Sequence, residues 1–323
     1  MTWSLLLWVV LPPGCAAVKA SFSRFASTVS GLQQSMIAQA KAADPAASWT
    51  IDEHSRGTAV VIEDGDVWEK GCISVTLIED GELSTTRAAA ISARTGTGIA
   101  AGDRYSACAL SFVLHARSPL VPTLRGDVRV FVVGDEEWYG GGLDLTPSYV
   151  EEADTEHFHT SLARLCVSHG GPGTYREMKA TCDAYFYLPA RGEHRGVGGV
   201  FFDDLTAPWA PAFAEELVRS ALAENGPYLP VVRKWQPVLF TDAQKRWQLL
   251  RRGRYIEFNL LYDRGVKFGL SPESVERVLV SSPPLVAFQY KAEPPEGSAE
   301  AKTLHVLRHP REWASEPAPA AAS

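Results

Sequence analysis

Residues 125–149, RGDVRVFVVGDEEWYGGGLDLTPSY, decide the fold that we predict for this chain. The side chains of an extended strand point alternately to its two faces, so Arg125, Asp127 and Arg129 share one face. A turn at 134–135 follows, and a second strand then runs back along the first. The pattern predicts an antiparallel hairpin with a charged row on one side.

Three consecutive glycines, Gly140, Gly141 and Gly142, interrupt the second strand just before Asp144. Glycines weaken a strand, so a bulge or the close approach of a flat ligand to the backbone explains them better than strand propensity does. Two arginines and an aspartate in one row beside this aspartate indicate a site for an anionic ligand, because guanidinium groups bind carboxylates as a fork. The alternative is a hairpin whose charged face meets solvent.

Three longer sequence motifs resemble those of a known family: WYGGGLDLTPSY at 138–149, HRGVGGVFFDDL at 194–205 and RRGRYIEFNLLYDRGVKFGL at 251–270. In this order, within roughly residues 49–313, they resemble the oxygen-dependent coproporphyrinogen III oxidases. The resemblance implies the fold of that family, a single α+β domain at 21–314 with a large antiparallel sheet flanked by helices. It also implies a homodimer.

Members of this family convert two propionate side chains of coproporphyrinogen III to vinyl groups, which gives protoporphyrinogen IX. They consume oxygen, release carbon dioxide and need neither a metal nor an organic cofactor. The resemblance therefore implies an oxidoreductase of haem or chlorophyll biosynthesis, with coproporphyrinogen III as substrate, molecular oxygen as co-substrate and no cofactor.

The resemblance also implies roles for individual residues. Arg129 matches an arginine that pairs with a substrate carboxylate, Ser111 a serine that contacts the substrate, and Asp144 an aspartate that faces the pyrrole N–H groups. Such an aspartate can orient the macrocycle and stabilise the positive charge that develops as the ring is oxidised. The catalytic candidates are Asp144, Arg129 and Arg125. The candidate substrate-binding residues are Ser111, Asp127, Arg129, Gly141, Gly142, Arg195 and Asp204.

The first strand departs from the family pattern H-x-N-x-R in two places. Arg125 replaces the histidine regarded as the proton donor, and arginine stays protonated at physiological pH. Asp127 replaces the asparagine and so loses a hydrogen-bond donor. Neighbouring members of the row stand ~7 Å apart along the strand. We therefore expect Asp127 to bridge both arginines and to hold Arg129 away from a substrate carboxylate.

Other family features are also missing. Ala190 stands in place of a histidine, residues 271–274 replace a Gly-Gly-Arg, and a glycine-rich loop is reduced to residues 55–58. Two functions stay open. One is an active oxidase with altered pocket chemistry. The other is a catalytically weak paralog that binds tetrapyrrole or pairs with an active subunit.

Hydrophobic periodicity predicts the other elements. The predicted strands cover 58–63, 67–79, 105–116, 197–202, 255–262 and 285–290, and the predicted helices cover 151–168, 173–187, 212–224, 228–235, 241–252 and 272–280. Strands joined by short turns favour an antiparallel sheet. The apolar strand at 255–262 would expose an edge near the end of the sheet, so we predict a dimer interface along 255–270.

Charged and histidine residues outside the hairpin give weaker signals. Seven basic residues at 245–267 indicate a polyanion site, with helix-terminal cations and salt bridges as the alternative. Adjacent strand residues point to opposite faces, so Asp203 and Asp204 are not expected to serve one site easily. We expect three histidines, His115, His157 and His159, to lie at the surface or to cap helices, and we predict that they bind no metal.

Composition excludes several classes of protein. A chain of 323 residues with 46% apolar content can bury a large core, and a net charge of -7 argues against a nucleic-acid partner. The five cysteines are scattered and form no C-x-x-C pair, which argues against a disulfide framework and against a zinc ribbon. The protein is therefore expected to work in a reducing compartment.

The two ends of the chain have their own composition. The apolar run at 5–11 is too short to span a bilayer but suits the core of a signal peptide, which makes 1–20 a possible targeting segment. The serine-rich, acid-free residues 21–30 resemble a transit peptide. Together they indicate a plastid, with a mitochondrion or the cytoplasm as alternatives, and no membrane span in the mature protein. Residues 21–42 also fit a first amphipathic helix. Residues 315–323 are predicted to be a disordered tail.

Overall fold

The structure is a computed structural model, and it describes residues 13–269, 272 and 274–317. The helices are α1 (Pro13–Ala43), α2 (Thr85–Thr95), α3 (Glu152–Gly170), α4 (Thr174–Tyr185), α5 (Ala210–Ala221), α6 (Leu229–Trp235), α7 (Asp242–Leu261), α8 (Arg264–Gly269), α9 (Val275–Leu279) and α10 (Ala299–Arg308). The strands are β1 (Ser48–His54), β2 (Gly57–Glu63), β3 (Trp68–Glu82), β4 (Arg104–Ala116), β5 (Thr123–Val133), β6 (Glu136–Thr146), β7 (Tyr187–Leu188), β8 (Glu193–His194) and β9 (Gly198–Leu205).

A large antiparallel sheet organises the molecule, with the strand order β1-β2-β3-β4-β5-β6-β9. Short turns join β1 to β2, β2 to β3 and β5 to β6, the last at Gly134, whose φ of 60° suits glycine. A longer connection that contains α2 joins β3 to β4, and α3 and α4 lie between β6 and β9 in the chain. The α+β class and the β5–β6 hairpin are confirmed.

The two faces of the sheet bury different kinds of residue. Leu124, Val128 and Val130 of β5 are fully buried in the main core, into which α1 and α5 also pack. Arg125 and Asp127 alternate with them and face the other side. On that side α7 covers β2 to β4, while the part over β4, β5, β6 and β9 holds a cleft.

The strand predicted at 255–262 is wrong, because α7 continues through it to Leu261. The buried residues Arg251, Tyr255 and Phe258 recur every three or four positions, as on one face of a helix, whereas Leu260 is 43% exposed. The strand edge that motivated the dimer interface is therefore absent there. The edge strands of the sheet are β1 and β9, and α4 packs against β9.

The strand predicted at 285–290 is also wrong. This segment does not join the sheet, and it lies along α7, where the Ala287 N–H donates to the Leu249 carbonyl oxygen at 2.9 Å. Its large side chains Leu285, Phe288 and Tyr290 are exposed. An apolar run thus follows a helix surface instead of pairing with a strand.

The N-terminal residues 21–42 lie within α1, which confirms the first-helix interpretation. Phe22, Phe25 and Val29 are buried in the main core, so the transit-like residues are part of the fold. Within the part of the chain that the structure describes, no helix combines the length and the apolar character needed to cross a membrane.

Part of the segment predicted as a disordered tail contacts the fold. The carboxylate of Glu316 accepts hydrogen bonds from the backbone N–H groups of Gly173 and Arg176, at the start of α4. A carboxylate stabilises a helix N-terminus because the free N–H groups there carry partial positive charge. Residues 318–323 lie outside the described residues.

Candidate functional site

A cleft of about 440 Å³ opens on the sheet face opposite α1 and α5. Its size is typical of pockets for small molecules. Its floor is formed by Ser111, Arg125, Asp127, Arg129, Gly140, Gly142 and Asp144, and its walls include Arg87, Arg94, Tyr185, Phe186, Phe201, Asp203, Asp204, Asp263 and Arg264. The structure therefore brings most of the candidate residues to one place, and Gly141 and Arg195 are the exceptions.

The β5–β6 register explains why the floor combines charge with open space. Asp127 lies opposite Gly142, Arg129 opposite Gly140, and Arg125 opposite Asp144. A Cβ atom at Gly140 would lie 2.8 Å from the Arg129 guanidinium, so glycine gives that side chain room.

Gly141 lies on the other face of β6, which follows from the alternation that places Gly140 and Gly142 in the floor. A Cβ atom at Gly141 would lie 2.4 Å from the Asp127 carbonyl oxygen. The close packing of β6 against β5 therefore explains why this position is a glycine. The assignment of Gly141 to substrate binding is not supported by its position.

Asp144 lies in the cleft floor but is 5% exposed, and both of its carboxylate oxygens accept hydrogen bonds from Arg195 Nη2, at 2.9 and 2.8 Å. Burial raises the pKa of the Asp144 carboxyl above its ordinary value, and Arg195 opposes that rise. A desolvated carboxylate held by a fixed cation is oriented toward the cleft at little reorganisation cost.

Arg195 does not line the cleft, so its direct contact with a substrate is not supported. It is 2% exposed, and its guanidinium lies over the ring of Phe186 at 4.0 Å and that of Tyr255 at 4.7 Å. Its Nη1 donates to Asn259 at 3.1 Å. These contacts fix the side chain behind Asp144, where it acts on the site through that aspartate.

Arg129 is already paired with two carboxylates. Its Nη1 donates to Asp127, and its Nη2 donates to Asp203 at 3.1 Å. Burial alone would lower the pKa of the Arg129 guanidinium, but the two aspartates raise it above its ordinary value. Both ends of its fork are therefore occupied by the protein itself.

Asp127 does not bridge two arginines, contrary to our expectation. Among the described residues, the guanidinium of Arg125 has no carboxylate within ion-pair distance, and it donates only to the Phe112 carbonyl oxygen, at 3.4 Å. The charged row on β5 thus divides into one ion pair and one separate cation.

Asp203 and Asp204 both line the cleft, so the expectation that they cannot easily serve one site is wrong. Arg94 of α2 contacts both, Asp204 at 2.9 Å and Asp203 at 3.5 Å. Asp204 has a φ of 52°, in the left-handed region, and this conformation breaks the alternation on which the expectation depended. Although burial raises the pKa of Asp203, Arg129 and Arg94 outweigh it and hold the value below its ordinary range.

The basic cluster at 245–267 is mostly structural. Arg252 and Lys245 pair with Glu69 at 2.6 and 2.9 Å, and Arg251 pairs with Glu193 at 2.7 Å. Arg264 alone of the described members lines the cleft. The side chain of Lys267 lies outside the described residues.

Two of the histidines are buried core residues, so their expected surface position is wrong. His159 is hydrogen-bonded to the Tyr175 hydroxyl at 2.9 Å and to the Val197 carbonyl oxygen at 3.2 Å. His115 lies between Thr123 and the Ser281 carbonyl oxygen. The described residues contain no group of three or more histidine, cysteine, aspartate or glutamate side chains that could hold a metal ion. The absence of a metal stays a prediction.

Several residues of the cleft were not predicted from the sequence. Arg87 and Arg94 come from α2, whose sequence TTRAAAISART carries no chemical motif. Asp263 and Arg264 lie in the third family motif, at 251–270, so they could have been identified from the charged residues in the second half of that motif. Counting the lining side chains, five arginines (Arg87, Arg94, Arg125, Arg129, Arg264) face five aspartates (Asp127, Asp144, Asp203, Asp204, Asp263).

Comparison with known proteins gives consistent matches. The family model for coproporphyrinogen III oxidase matches residues 24–313. The chain is 40% identical over 284 residues to the mitochondrial oxygen-dependent coproporphyrinogen-III oxidase of Mus musculus, which covers 84% of this chain and 64% of that relative. It is 37% identical over 314 residues to the chloroplastic enzyme of that name from Glycine max, covering 90% of this chain and 79% of the relative. The chain thus spans slightly less than two thirds of the mouse relative.

Proposed function

Because the chain belongs to the coproporphyrinogen III oxidase family, we propose that it catalyses the oxygen-dependent oxidative decarboxylation of coproporphyrinogen III to protoporphyrinogen IX. The observation that carries the proposal is the cleft itself. A desolvated aspartate, Asp144, lies in its floor, arginines surround it, and aromatic side chains line one wall. This arrangement suits a flat, electron-rich ring with several carboxylates.

The chemistry requires a balanced exchange at each of two propionates. The bond from the outer methylene carbon to the carboxylate breaks and releases carbon dioxide, and a C–H bond breaks on the methylene carbon attached to the pyrrole. Oxygen takes up the two electrons, the proton from that C–H bond and one proton from solvent, which gives hydrogen peroxide. Each step leaves a vinyl group. Metal and organic cofactors are not part of the proposal.

The residues of the chain would contribute position and charge. Asp144 accepts hydrogen bonds from the pyrrole N–H groups and stabilises positive charge on the oxidised ring. Arg195 opposes the rise that burial causes in the Asp144 pKa, and its two hydrogen bonds orient the carboxyl group. The stacked rings of Tyr185 and Phe201, 4.5 Å apart, provide a flat wall beside the macrocycle.

A single-turnover assay tests this function. Purified protein in excess is mixed with coproporphyrinogen III in the presence and absence of oxygen, and the products are oxidised to porphyrins and separated. Formation of protoporphyrin only with oxygen supports the oxidase. Tight tetrapyrrole binding without turnover would support the catalytically weak paralog instead.

A homodimer is also part of the proposal. Its support is an exposed apolar surface along the end of α7 and the segment beside it, where Leu261 is 55% and Phe288 63% exposed. Large apolar side chains grouped at a surface mark sites of protein association.

We also propose an organellar location, with the plastid as first candidate. The support is the apolar run at 5–11 followed by the acid-free residues 21–30, together with relatives named as mitochondrial and chloroplastic. Removal of residues 1–20 would spare the helix residues that enter the core from Phe22 onward. A fluorescent protein fused behind residues 1–43 tests this in cells with plastids, where mitochondrial or cytosolic fluorescence would contradict the plastid.

A further inference from the structure

The arginines of the cleft differ in how much of their charge the protein already neutralises. Arg129 contacts Asp127 and Asp203, and Arg264 contacts Asp203 at 3.3 Å. Arg94 contacts Asp203 and Asp204. A substrate carboxylate that approached any of these guanidinium groups would have to compete with an aspartate that is part of the fold.

Arg125 is the floor arginine that lacks such a partner within the described part of the chain. Its side chain is partly buried on β5, and its hydrogen bond to Phe112 uses a single N–H of the guanidinium. Burial would lower the pKa of the Arg125 guanidinium, but Tyr255, Asp127 and Asp263 raise it above its ordinary value, so the group carries its charge in the free protein. Because neither aspartate carboxylate is within ion-pair distance, its N–H groups can still bind a carboxylate that arrives with the ligand.

The surroundings of Arg125 form a second, smaller cleft of about 170 Å³ beside the main one. Arg125, Ser111, Asp263 and Gly265 line both clefts, and Ser74 and Arg277 are among the residues that line the smaller one. The Ser74 and Ser111 hydroxyl oxygens lie 3.1 Å apart on neighbouring strands. A guanidinium with two hydroxyl donors at its side provides the hydrogen bonds that a carboxylate accepts.

We propose that Arg125, with Ser74 and Ser111, binds a carboxylate of the substrate in the smaller cleft, and that Arg129 instead holds Asp127 and Asp203 in place. The inference rests on the proposed function, since it supposes a ring in the main cleft with a carboxylate-bearing side chain. Ser111 and Arg125, which belong to both clefts, mark the point where that side chain leaves the ring.

Equilibrium binding of two unreactive porphyrins tests the assignment without turnover. Coproporphyrin III carries four carboxylates, and its tetramethyl ester carries none on the same ring. Quenching of intrinsic fluorescence gives Kd for both in one detergent-containing buffer. The proteins are wild type, Arg125→Gln, Arg125→Lys, Arg129→Gln and Arg219→Gln. Arg219 is exposed on α5, on the opposite side of the sheet, so its variant controls for net charge.

We expect Arg125→Gln to weaken coproporphyrin III binding by about 10-fold to 100-fold, the range for a hydrogen bond between charged groups, and to leave ester binding within about twofold. Arg125→Lys should recover part of the loss, because it keeps the charge without the fork. Arg219→Gln should match wild type for both ligands. Circular dichroism of each variant confirms that it is folded.

Several outcomes would overturn the assignment. They are an unchanged affinity in Arg125→Gln, an equal loss for acid and ester, or a larger acid-specific loss in Arg129→Gln than in Arg125→Gln. The result is independent of the turnover assay. A protein that does not convert coproporphyrinogen can still show the Arg125 dependence, and an active enzyme can lack it.

Discussion

At the residue scale, Asp144 and Arg195 form a buried ion pair, and removal of one partner leaves the other charge uncompensated. Since Arg195 is 2% exposed, Asp144→Ala should lower the free energy of unfolding by about 3–5 kcal/mol as well as abolish turnover. Urea unfolding measures the first effect. An unchanged urea midpoint would show that the ion pair contributes little to stability.

The matched control for that variant removes both charges. Asp144→Ala with Arg195→Met should recover most of the lost stability, because an apolar replacement of a whole buried pair is often neutral, yet turnover should stay absent. Recovery of turnover in the double variant would show that Asp144 has no part in catalysis.

The β5 row supports a second prediction. Asp127→Asn releases one carboxylate from Arg129, and Arg125→His removes the guanidinium but adds a group that can titrate. Arg125→His alone should lower turnover, since Arg129 stays occupied. The two changes together should give more turnover than the product of the single effects and a pH dependence with a midpoint of about 6.5. A flat pH profile in the double variant would show that no proton passes through position 125.

Buried histidines give a third prediction, on stability and pH. Burial lowers the pKa of His159 to about 3 and that of His115 to about 3, while both titrate at about 6.5 in the unfolded chain. Below pH 6.5 the unfolded chain therefore binds more protons, and the free energy of unfolding should fall by about 1.4 kcal/mol per pH unit for each histidine. Above pH 6.5 they contribute no slope.

Unfolding by urea between pH 4 and 8 checks this. His159→Gln should reduce the slope below pH 6.5 by about half of the joint contribution, at some cost in stability at pH 8. His169, exposed in part and paired with Glu216, provides the control variant His169→Gln. An equal slope in wild type and His159→Gln would mean that His159 is charged in the folded protein.

At the element scale, we predict opposite effects on stability when two helix glycines are replaced by alanine. Glycine in a helix interior costs about 1 kcal/mol relative to alanine. At Gly31 of α1 a Cβ atom meets nothing within 4 Å, so Gly31→Ala should stabilise the protein by about that amount. At Gly253 of α7 the Cβ atom would lie 2.5 Å from the Ala287 carbonyl oxygen, so Gly253→Ala should destabilise it.

Thermal unfolding of the two variants measures the contrast. The Gly253 variant should also break the contact between α7 and residues 285–290, which limited proteolysis detects as faster cleavage in that segment. If both alanines stabilise equally, the segment does not rest on the helix as described.

The same segments show how far sequence could predict the elements. The strands around β5 were predictable because one face is buried and the other polar, which gives a period of two. In α7, Ile256, Phe258 and Leu260 alternate by chance, while the buried set includes Arg251, whose partner Glu193 lies in a distant strand. A buried arginine is not counted in a pattern of apolar residues, so the helical period of three to four residues was not visible in the sequence. The remaining apolar residues alternate and therefore predicted a strand.

At the scale of the whole molecule, the sequence predicted many of the residues that line the cleft but not the ion pairs that they form with one another. Asp144 was found from the first family motif and Arg129 from the family pattern of the first strand, and the structure places both in one cleft. The Asp203 contact of Arg129 depends on β9 lying next to β6, and the Arg94 contacts depend on where α2 packs. Neither follows from local spacing. The same holds for Arg125, which has no carboxylate within ion-pair distance among the residues that the structure describes.

The surface supports the last prediction, a dimer through α7. Leu249 and Gly253 contact the segment 285–290, and the exposed side chains of Leu260 and Leu261 follow at the end of the same helix. The exposed apolar side chains there would be covered if two copies met along this surface. We therefore expect light scattering at micromolar concentration to give twice the mass of one chain, and Leu261→Asp with Phe288→Asp to give the monomer.

The control for this surface lies at the other end of the same helix. Leu239 is 94% exposed just before α7, ~30 Å from Leu261 for a helix of 20 residues. Leu239→Asp likewise replaces an exposed apolar side chain with a carboxylate, adding one negative charge where the double variant adds two, and it should leave the mass of the dimer unchanged. A monomer in Leu239→Asp but not in the double variant would move the interface to the start of α7, and a monomeric wild type would remove the dimer from the proposal. Neither Leu261 nor Phe288 lines the cleft, so a monomer made by the double variant should keep its affinity for coproporphyrin III.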